Sequence, residues 1–245
     1  MSKTIVRSHR IRVRDGRTLS EKLLDVPHLN REITFASPAI GPRFYVSVVS
    51  RLRRAGLILP KMSHYSSLVY AAWQNTAEEY SQDVLNILKN KWLLASNGIL
   101  YVPNEGAYIE DSPKIRLNFL SLKWVLSMKR NDLVKRLEGG DKTVRFVPFG
   151  YKIEEQSARD LARNKLVIGL AGEEGAEKLA KVAGNKYREN PYVASFKNVD
   201  TKLARATGLS SNRADLRLYV FGYNWLSYRD GYAFGKLPTL MRKAA

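Results

Sequence analysis

The first residues of the chain alternate between two kinds of side chain. Over residues 4–14 the chain alternates in a way that suits a strand: one face carries Ile5, Arg7, His9, Ile11 and Val13. A period of two is typical of a β-strand with one face toward a core. The basic face of this predicted strand carries Arg10, Arg12 and Arg14.

Residues 15–42 contain several signals that begin or end an element. Asp15-Gly16 is a turn signal, and Thr18 with Glu21 has the spacing of a helix capping box. These residues predict a short helix that continues to residue 24 and closes before Pro27. Pro38, Gly41 and Pro42 then indicate a boundary.

A helical period dominates the middle of the chain. Apolar residues three and four positions apart predict helices over 43–55, 63–74 and 77–94. A hairpin with strands over 99–102 and 107–110 follows them, and a further helix is predicted over 122–137. The order of three helices and a hairpin resembles a winged helix-turn-helix.

The second half of the chain mixes both periods. Gly139-Gly140 is the best candidate for a boundary between a region of residues 1–138 and one of residues 141–245, although a single domain remains possible. The elements predicted after it are a strand over 143–149, a helix over 154–162, a buried strand over 166–170, a helix over 173–183, a helical turn over 203–207 and a strand over 214–223. The predicted fold class is α+β, with an N-terminal strand, a helical middle with a small hairpin, and a C-terminal α/β part.

Charge is distributed unevenly along the 245 residues. The net charge is +18, and it divides into +9 for residues 1–61, −4 for 62–112, +7 for 113–153, zero for 154–200 and +6 for 201–245. A basic surface attracts polyanions, of which nucleic acid is the usual one. The acidic segment 62–112 would repel phosphates, so we expect it to contact a protein partner or a second copy of the chain instead.

Several classes of protein are excluded by composition. The chain has no cysteine, so it holds neither disulfides nor thiolate metal sites. Its longest apolar run covers only residues 68–73, whereas a membrane-spanning helix needs about 20 apolar residues. The N-terminus lacks the apolar core of a secretory signal, so we expect a cytoplasmic protein.

The acidic composition of the winged-helix-like segment argues against DNA reading there. Its presumptive recognition helix begins with Glu78 and Glu79 and also contains Asp83. Three arginines at the end of the preceding first helix remain candidates for phosphate contacts. They are Arg51, Arg53 and Arg54.

Two other basic segments are candidate contacts for a nucleic-acid backbone. Arg10, Arg12 and Arg14 would recur about every 6.6 Å along a strand, close to the phosphate repeat of an extended single strand. A charged edge strand that resists aggregation explains the same pattern. The predicted helix over 122–137 carries a second set of basic residues. The alternative interpretation is a core helix whose basic side faces solvent. Its candidates are Lys129, Arg130, Lys135 and Arg136.

The strand over 214–223 separates aliphatic from aromatic side chains. Leu218 and Val220 face one way, and Arg217, Tyr219, Phe221 and Tyr223 face the other. Residues 219–234 hold seven of the chain's 25 aromatic residues. Such a face either packs into a core or offers rings on which unstacked bases stack, with Arg217 holding the backbone.

Evidence for catalysis in the sequence is weak. Gly169, Gly172 and Gly175 match no phosphate-loop spacing, and Glu173 and Glu174 lie among them. Glu110 and Asp111 near Lys114 offer only a sparse metal-nuclease signal. We therefore predict no catalytic residue, metal or cofactor.

Together these patterns predict a non-catalytic protein that binds single-stranded nucleic acid, with RNA favoured over DNA, as a subunit of a ribonucleoprotein or similar complex. Two alternatives remain open. One is a structural subunit of a viral or filamentous assembly, since alternating basic and acidic segments suit contacts between copies. The other is a metal-dependent nuclease.

Overall fold

Strands from both ends of the chain meet in one large sheet. A computed structural model describes residues 11–16, 22–118, 121, 123–211, 216–224, 226 and 229–238. The helices in this part are α1 (Tyr45–Arg54), α2 (Met62–Gln74), α3 (Glu79–Asn90), α4 (Arg130–Glu138), α5 (Ala158–Arg163) and α6 (Lys165–Lys186). The strands are β1 (Arg12–Asp15), β2 (Lys22–His28), β3 (Arg31–Arg43), β4 (Trp92–Val102), β5 (Gly106–Asp111), β6 (Ile115–Asn118), β7 (Lys123–Leu126), β8 (Val144–Pro148), β9 (Glu154–Glu155), β10 (Tyr192–Ala194), β11 (Leu203–Ser211), β12 (Leu218–Asn224) and β13 (Gly231–Lys236).

The sheet branches at its longest buried strand, β4. Its main order is β1-β2-β3-β13-β4-β11-β12-β10-β9, and β5 pairs with the second half of β4 and then with β8. The pairs β13–β4 and β10–β12 are parallel, and the others are antiparallel. Strands β6 and β7 form a separate hairpin. The fold class is therefore α+β, as the sequence predicts.

Helices cover the two faces of this sheet unequally. On one face, α2, α3, α5 and α6 bury the largest core against side chains such as Ile99, Tyr101, Leu209 and Val220. On the other face, α1 packs near Leu94 in one small core, while α4 and β7 contribute to another. Both faces of β4 are therefore apolar, which suits a central strand.

Two predicted breaks in the N-terminal region are wrong. The helix predicted to end at residue 24 is replaced by strand β2, because Leu24 and Val26 alternate into the core and are fully buried. Residues 17–21, where its capping box falls, lie outside the described part. Pro38 and Pro42 do not form a boundary between elements. Strand β3 includes both prolines, and its pairing with β13 shifts register near them. Proline lacks an N–H for the ladder, so irregular pairing accommodates it.

The helices of the middle region are confirmed, with changes at their ends. The helix predicted over 77–94 stops at Asn90, and Trp92 begins β4. The helix predicted over 122–137 is wrong in its first half, where residues 123–126 form β7, and right in its second half as α4. The three helices and the hairpin occur in the predicted order. However, β4 and β5 lie inside the large sheet, so a winged-helix arrangement is not confirmed.

Three predictions in the second half of the chain need correction. Residues 166–170 form the start of α6, because an apolar run of this length suits a buried helix as well as a strand. Residues 203–207 belong to β11, and the polar helix begins only at Ala158. The division at Gly139-Gly140 stays a prediction, although strands on either side of it pair in one sheet, as β5 does with β8.

Candidate nucleic-acid interface

Ion pairs occupy the predicted arginine ladder of the N-terminal strand. Arg12 bonds to Glu32, and both Nε and Nη2 of Arg14 donate to Asp25, at 2.5 and 2.8 Å. Arg12 is nevertheless 65% exposed at its side chain. Arg10 lies outside the described residues. Arg12 and Arg14 of this edge strand therefore form ion pairs within the protein. They are not the regularly spaced, unpaired arginines that the sequence predicts.

The arginines of α1 differ from that pattern. Arg51, Arg53 and Arg54 lie in its last turn, where positive charge is favourable beside the helix C-terminus. In the part of the chain that the structure describes, none of the three forms an ion pair, and Arg54 donates only to the hydroxyl of Ser50. They remain available for contacts with an anion.

The acidic and basic segments of the middle region pair with each other. Glu105 accepts from Arg130, at 2.8 Å, and Glu110 accepts from Arg136. Arg136 also contacts Asp141, whose pKa falls to about 2 through hydrogen bonds from Thr143 and Arg136. Lys129 and Lys135 form no ion pair among the described residues. Half of the predicted α4 contacts are therefore used internally.

This pairing changes the interpretation of the acidic segment 62–112. The carboxylates of Glu105, Glu110 and Asp111 are all held by basic residues from 113–153 or by Lys61. Only Glu78, Glu79 and Asp83, at and near the start of α3, are exposed acids of this segment. A protein partner or self-association through this surface stays a prediction.

The aromatic strand has the two faces that the sequence predicts. Leu218 and Val220 are fully buried in the main core. On the opposite face, Tyr219 and Tyr223 are half-buried, and Phe221 between them is 8% exposed. The Tyr219 and Phe221 rings stack at 5.4 Å and 12°. That separation is less than the ~6.8 Å that two 3.4 Å stacking intervals need, so a base would lie on the rings rather than between them.

Rings from two other strands extend this face. Tyr192 on β10 contacts Tyr219 at 5.3 Å between centroids, and Trp92 on β4 contacts Phe221 at 4.0 Å. Both are half-buried. The rings border a groove of about 470 Å³, a volume in the range of ligand sites. We call it the aromatic groove, and the residues that line it are Lys89, Asn90, Trp92, Ser210, Ser211, Tyr219 and Phe221.

One lysine lines the aromatic groove, and a second lies near that lysine. Lys89 is exposed on its wall, and Lys186 lies close enough for their charges to repel. Burial, and then Lys89, lower the pKa of Lys186 to about 8. Neither lysine forms an ion pair within the described ranges. Two repelling cations near half-buried rings favour an anion that carries a flat group.

Arg217 lies at one end of the aromatic strand, on the same face as Tyr219. Its guanidinium donates to Glu189 at 2.5 Å and to Glu155 at 2.9 Å. These two carboxylates satisfy the charge of a side chain that is only 17% exposed. Arg217 thus stabilises the edge formed by β9, β10 and β12 and has few donors left for a ligand.

Sequence reasoning missed two residues that line the aromatic groove, Trp92 and Lys89, and two that lie near them, Tyr192 and Lys186. Trp92 fits the apolar stripe of α3, so its place on a strand was hidden by the helical period. Tyr192 lies in a stretch with no clear period. Lys89 and Lys186 belong to α3 and α6, and the charges of these helices do not indicate which surface each lysine faces. The continuous apolar run of residues 92–95 is consistent with a buried strand and with a helix, so it gave no signal that separates the two.

The nuclease alternative gains no metal site from the structure. Within the described residues, no three His, Asp or Glu side chains lie together as metal ligands. The Asp111 carboxylate accepts from Asn97 at 2.7 Å and contacts Lys61 at 2.7 Å and Arg145. Burial raises the pKa of Asp111, but these cations outweigh it and lower the pKa overall.

The fold gives one further finding on partners: the described part contains no helix that is both long and apolar enough to cross a membrane. Comparisons of the chain with known protein families, with curated proteins and with solved structures found no match.

Proposed function

We propose that this protein binds single-stranded nucleic acid along the aromatic groove and does not cleave it. The observation that carries the proposal is a groove lined by half-buried Trp92 and Tyr219 and by exposed Lys89. Tyr192 packs on Tyr219, and Lys186 lies near Lys89. Unstacked bases offer π-faces to these rings, and the lysines meet the phosphates. A duplex keeps its bases stacked inside, so it cannot use this surface in the same way.

RNA is the expected partner, because proteins recognise RNA largely at loops, bulges and ends, where unpaired bases stack on aromatic side chains. Arg51, Arg53, Arg54, Lys129 and Lys135 would then add backbone contacts outside the groove. Internal ion pairs reduce the contribution of Arg12, Arg14, Arg130, Arg136 and Arg217. The protein would bind as a subunit of a larger nucleic-acid complex.

The test is titration of a fluorescent single-stranded RNA and its duplex with the protein over a range of salt concentrations. The expected result is tighter binding to the single strand, with affinity that falls by a log–log slope of about 0.7 for each phosphate contacted. No binding at low salt would overturn the proposal. Light scattering without RNA is the companion measurement, since growth of particle size would favour an assembly subunit.

A further inference from the structure

A second concave site lies apart from the aromatic groove, where α2, β5, β8 and α6 converge. It is a cleft of about 280 Å³, which we call the polar cleft. By volume it has room for roughly nine water molecules at ~30 Å³ each. Its polar wall includes Lys61, Ser63, Ser67, Asp111, Lys142 and Arg145. The remaining wall is the segment 169–175, in which Gly172 breaks α6 with a φ of 75°.

One carboxylate of this wall lies between two cations. Lys61 and Arg145 both contact Asp111, whose side chain is 6% exposed. Arg145 is held in place, since its Nε also donates to the carbonyl of Gly169 at 2.6 Å. The three groups together keep one positive charge uncompensated. Lys61 is 37% exposed at its side chain, so its remaining donors can reach a ligand.

A second carboxylate is also neutralised inside the protein. Glu174 contacts Lys178 at 2.5 Å, and Lys178 donates to the Ser67 hydroxyl at 2.9 Å. The same hydroxyl lies 2.9 Å from Nδ1 of His28. Only Glu173 is left as an exposed acid of the cleft, opposite Lys142, which forms no ion pair in the described part of the chain.

Two buried histidines lie at the cleft. Burial, followed by the charges of Lys178, Arg31 and Lys61, lowers the pKa of His28 to about 4. His64 lies against it, with ring centroids 5.1 Å apart, and its pKa falls to about 3 through burial, then His28 and nearby cations. Both rings are neutral at pH 7, so the cations that line the cleft are Lys61, Lys142 and Arg145.

We propose that the polar cleft binds the phosphate group of a phosphate monoester, held by Lys61 and Lys142 with the hydroxyl group of Ser63. A phosphate is favoured over a carboxylate because its three free oxygens match donors that come from several directions. The first turn of α2, next to Lys61, adds partial positive charge. The phosphate belongs either to a small sugar phosphate or to the end of a nucleic-acid strand.

Calorimetric titration with ribose 5-phosphate, with ribose as the unphosphorylated partner, tests this site without a base that the aromatic groove would bind. The expected result is binding of ribose 5-phosphate and not of ribose. Lys142→Gln weakens it about threefold and Lys61→Gln about tenfold, as expected for one exposed and one half-buried charge-assisted contact. Lys135→Gln, an exposed lysine outside the cleft, and Tyr219→Ala leave it unchanged.

A second arm compares 5′-phosphorylated and 5′-hydroxyl oligonucleotides. If the 5′-phosphate increases affinity and Lys142→Gln abolishes that increase, the phosphate that the cleft binds is the end of a nucleic-acid strand. If the 5′-phosphate has no effect, the cleft binds a small phosphate monoester. Lys61→Gln also removes an ion pair with Asp111 and so lowers the stability of the fold. Lys142→Gln breaks no ion pair of the described residues, so its effect on binding decides the test. Absence of ribose 5-phosphate binding, or binding that Lys142→Gln does not weaken, overturns the proposal.

Discussion

Trp92 and Phe221 lie on strands that are not neighbours, yet their rings pack with centroids 4.0 Å apart. β11 runs between their strands, and its Gly208 pairs with Phe221 on one side and with Leu94 on the other. Residues that pair across antiparallel strands face the same side, so Gly208 places no side chain between these two strands on the face of Phe221.

The charge of Lys186 gives RNA binding a defined dependence on pH. In the free protein its pKa is about 8, so the amine loses its charge above that pH. A bound phosphate favours the charged form of Lys186 and therefore raises its pKa. Each unit of that rise corresponds to an affinity about tenfold higher for the charged than for the neutral lysine. Affinity is expected to be level below pH 7.5 and to fall toward pH 9. Anisotropy titrations should show this fall in the native protein and not in Lys186→Gln.

Lys89 is expected to make one phosphate contact. Lys89→Gln should lower the log–log salt slope by about 0.7 and weaken binding at every sequence tested. Lys165→Gln removes the same charge from an exposed position at the far end of α6 and should leave the slope unchanged. Equal effects of the two substitutions would mean that only net charge matters.

Buried neutral histidines should make folding sensitive to mild acid. The pKa values of His28 and His64 are about 4 and 3 in the fold, below the ordinary 6.5, so the unfolded chain takes up protons first as the pH falls below 6.5. Stability is then lost between pH 6.5 and 4, by about 2 kcal/mol per histidine at pH 5. Urea unfolding at pH 7 and pH 5 measures it. His64→Gln should halve the difference, and an unchanged difference would contradict the assignment.

Asp111 is expected to act in stability rather than in metal-dependent cleavage. Asp111→Asn leaves Lys61 and Arg145 without their carboxylate and should cost about 2–3 kcal/mol in unfolding free energy. Asp160→Asn, which disrupts the exposed pair with Lys152, should cost less than about 1 kcal/mol. Magnesium-dependent RNA cleavage that is lost in a folded Asp111→Asn protein would instead restore the nuclease alternative.

Local patterns predict much of this fold. Alternation locates the aromatic strand and its two faces, and helical spacing locates α1, α2 and α3. Pairing between distant segments is not in those patterns. Trp92 continues the apolar stripe of a helix, and its pairing with Gly231 of β13 makes it part of a strand. The run 166–170 is apolar whichever structure it adopts.

Charge counts along the chain have the same limit. The segments with net charges of −4 and +7 suggest two separate surfaces, but Glu105 with Arg130 and Glu110 with Arg136 join them. The sequence identifies which residues are charged, whereas the fold decides which charges remain available. Lys89 and Lys186 lie outside the basic segments, and only the fold brings Lys89 beside Tyr219 and Trp92 and Lys186 near Lys89.

The most direct test of the central claim is the affinity of single-stranded RNA for proteins altered at Tyr219. Fluorescence anisotropy at constant salt should show that Tyr219→Ala weakens binding about tenfold, since one base stack contributes about 1–3 kcal/mol. Tyr219→Phe keeps the ring and should bind as the native protein does. Trp124→Ala removes a ring that is 49% exposed on β7, outside the groove, and serves as the matched control. Equal affinity of Tyr219→Ala and the native protein would contradict binding at the aromatic groove.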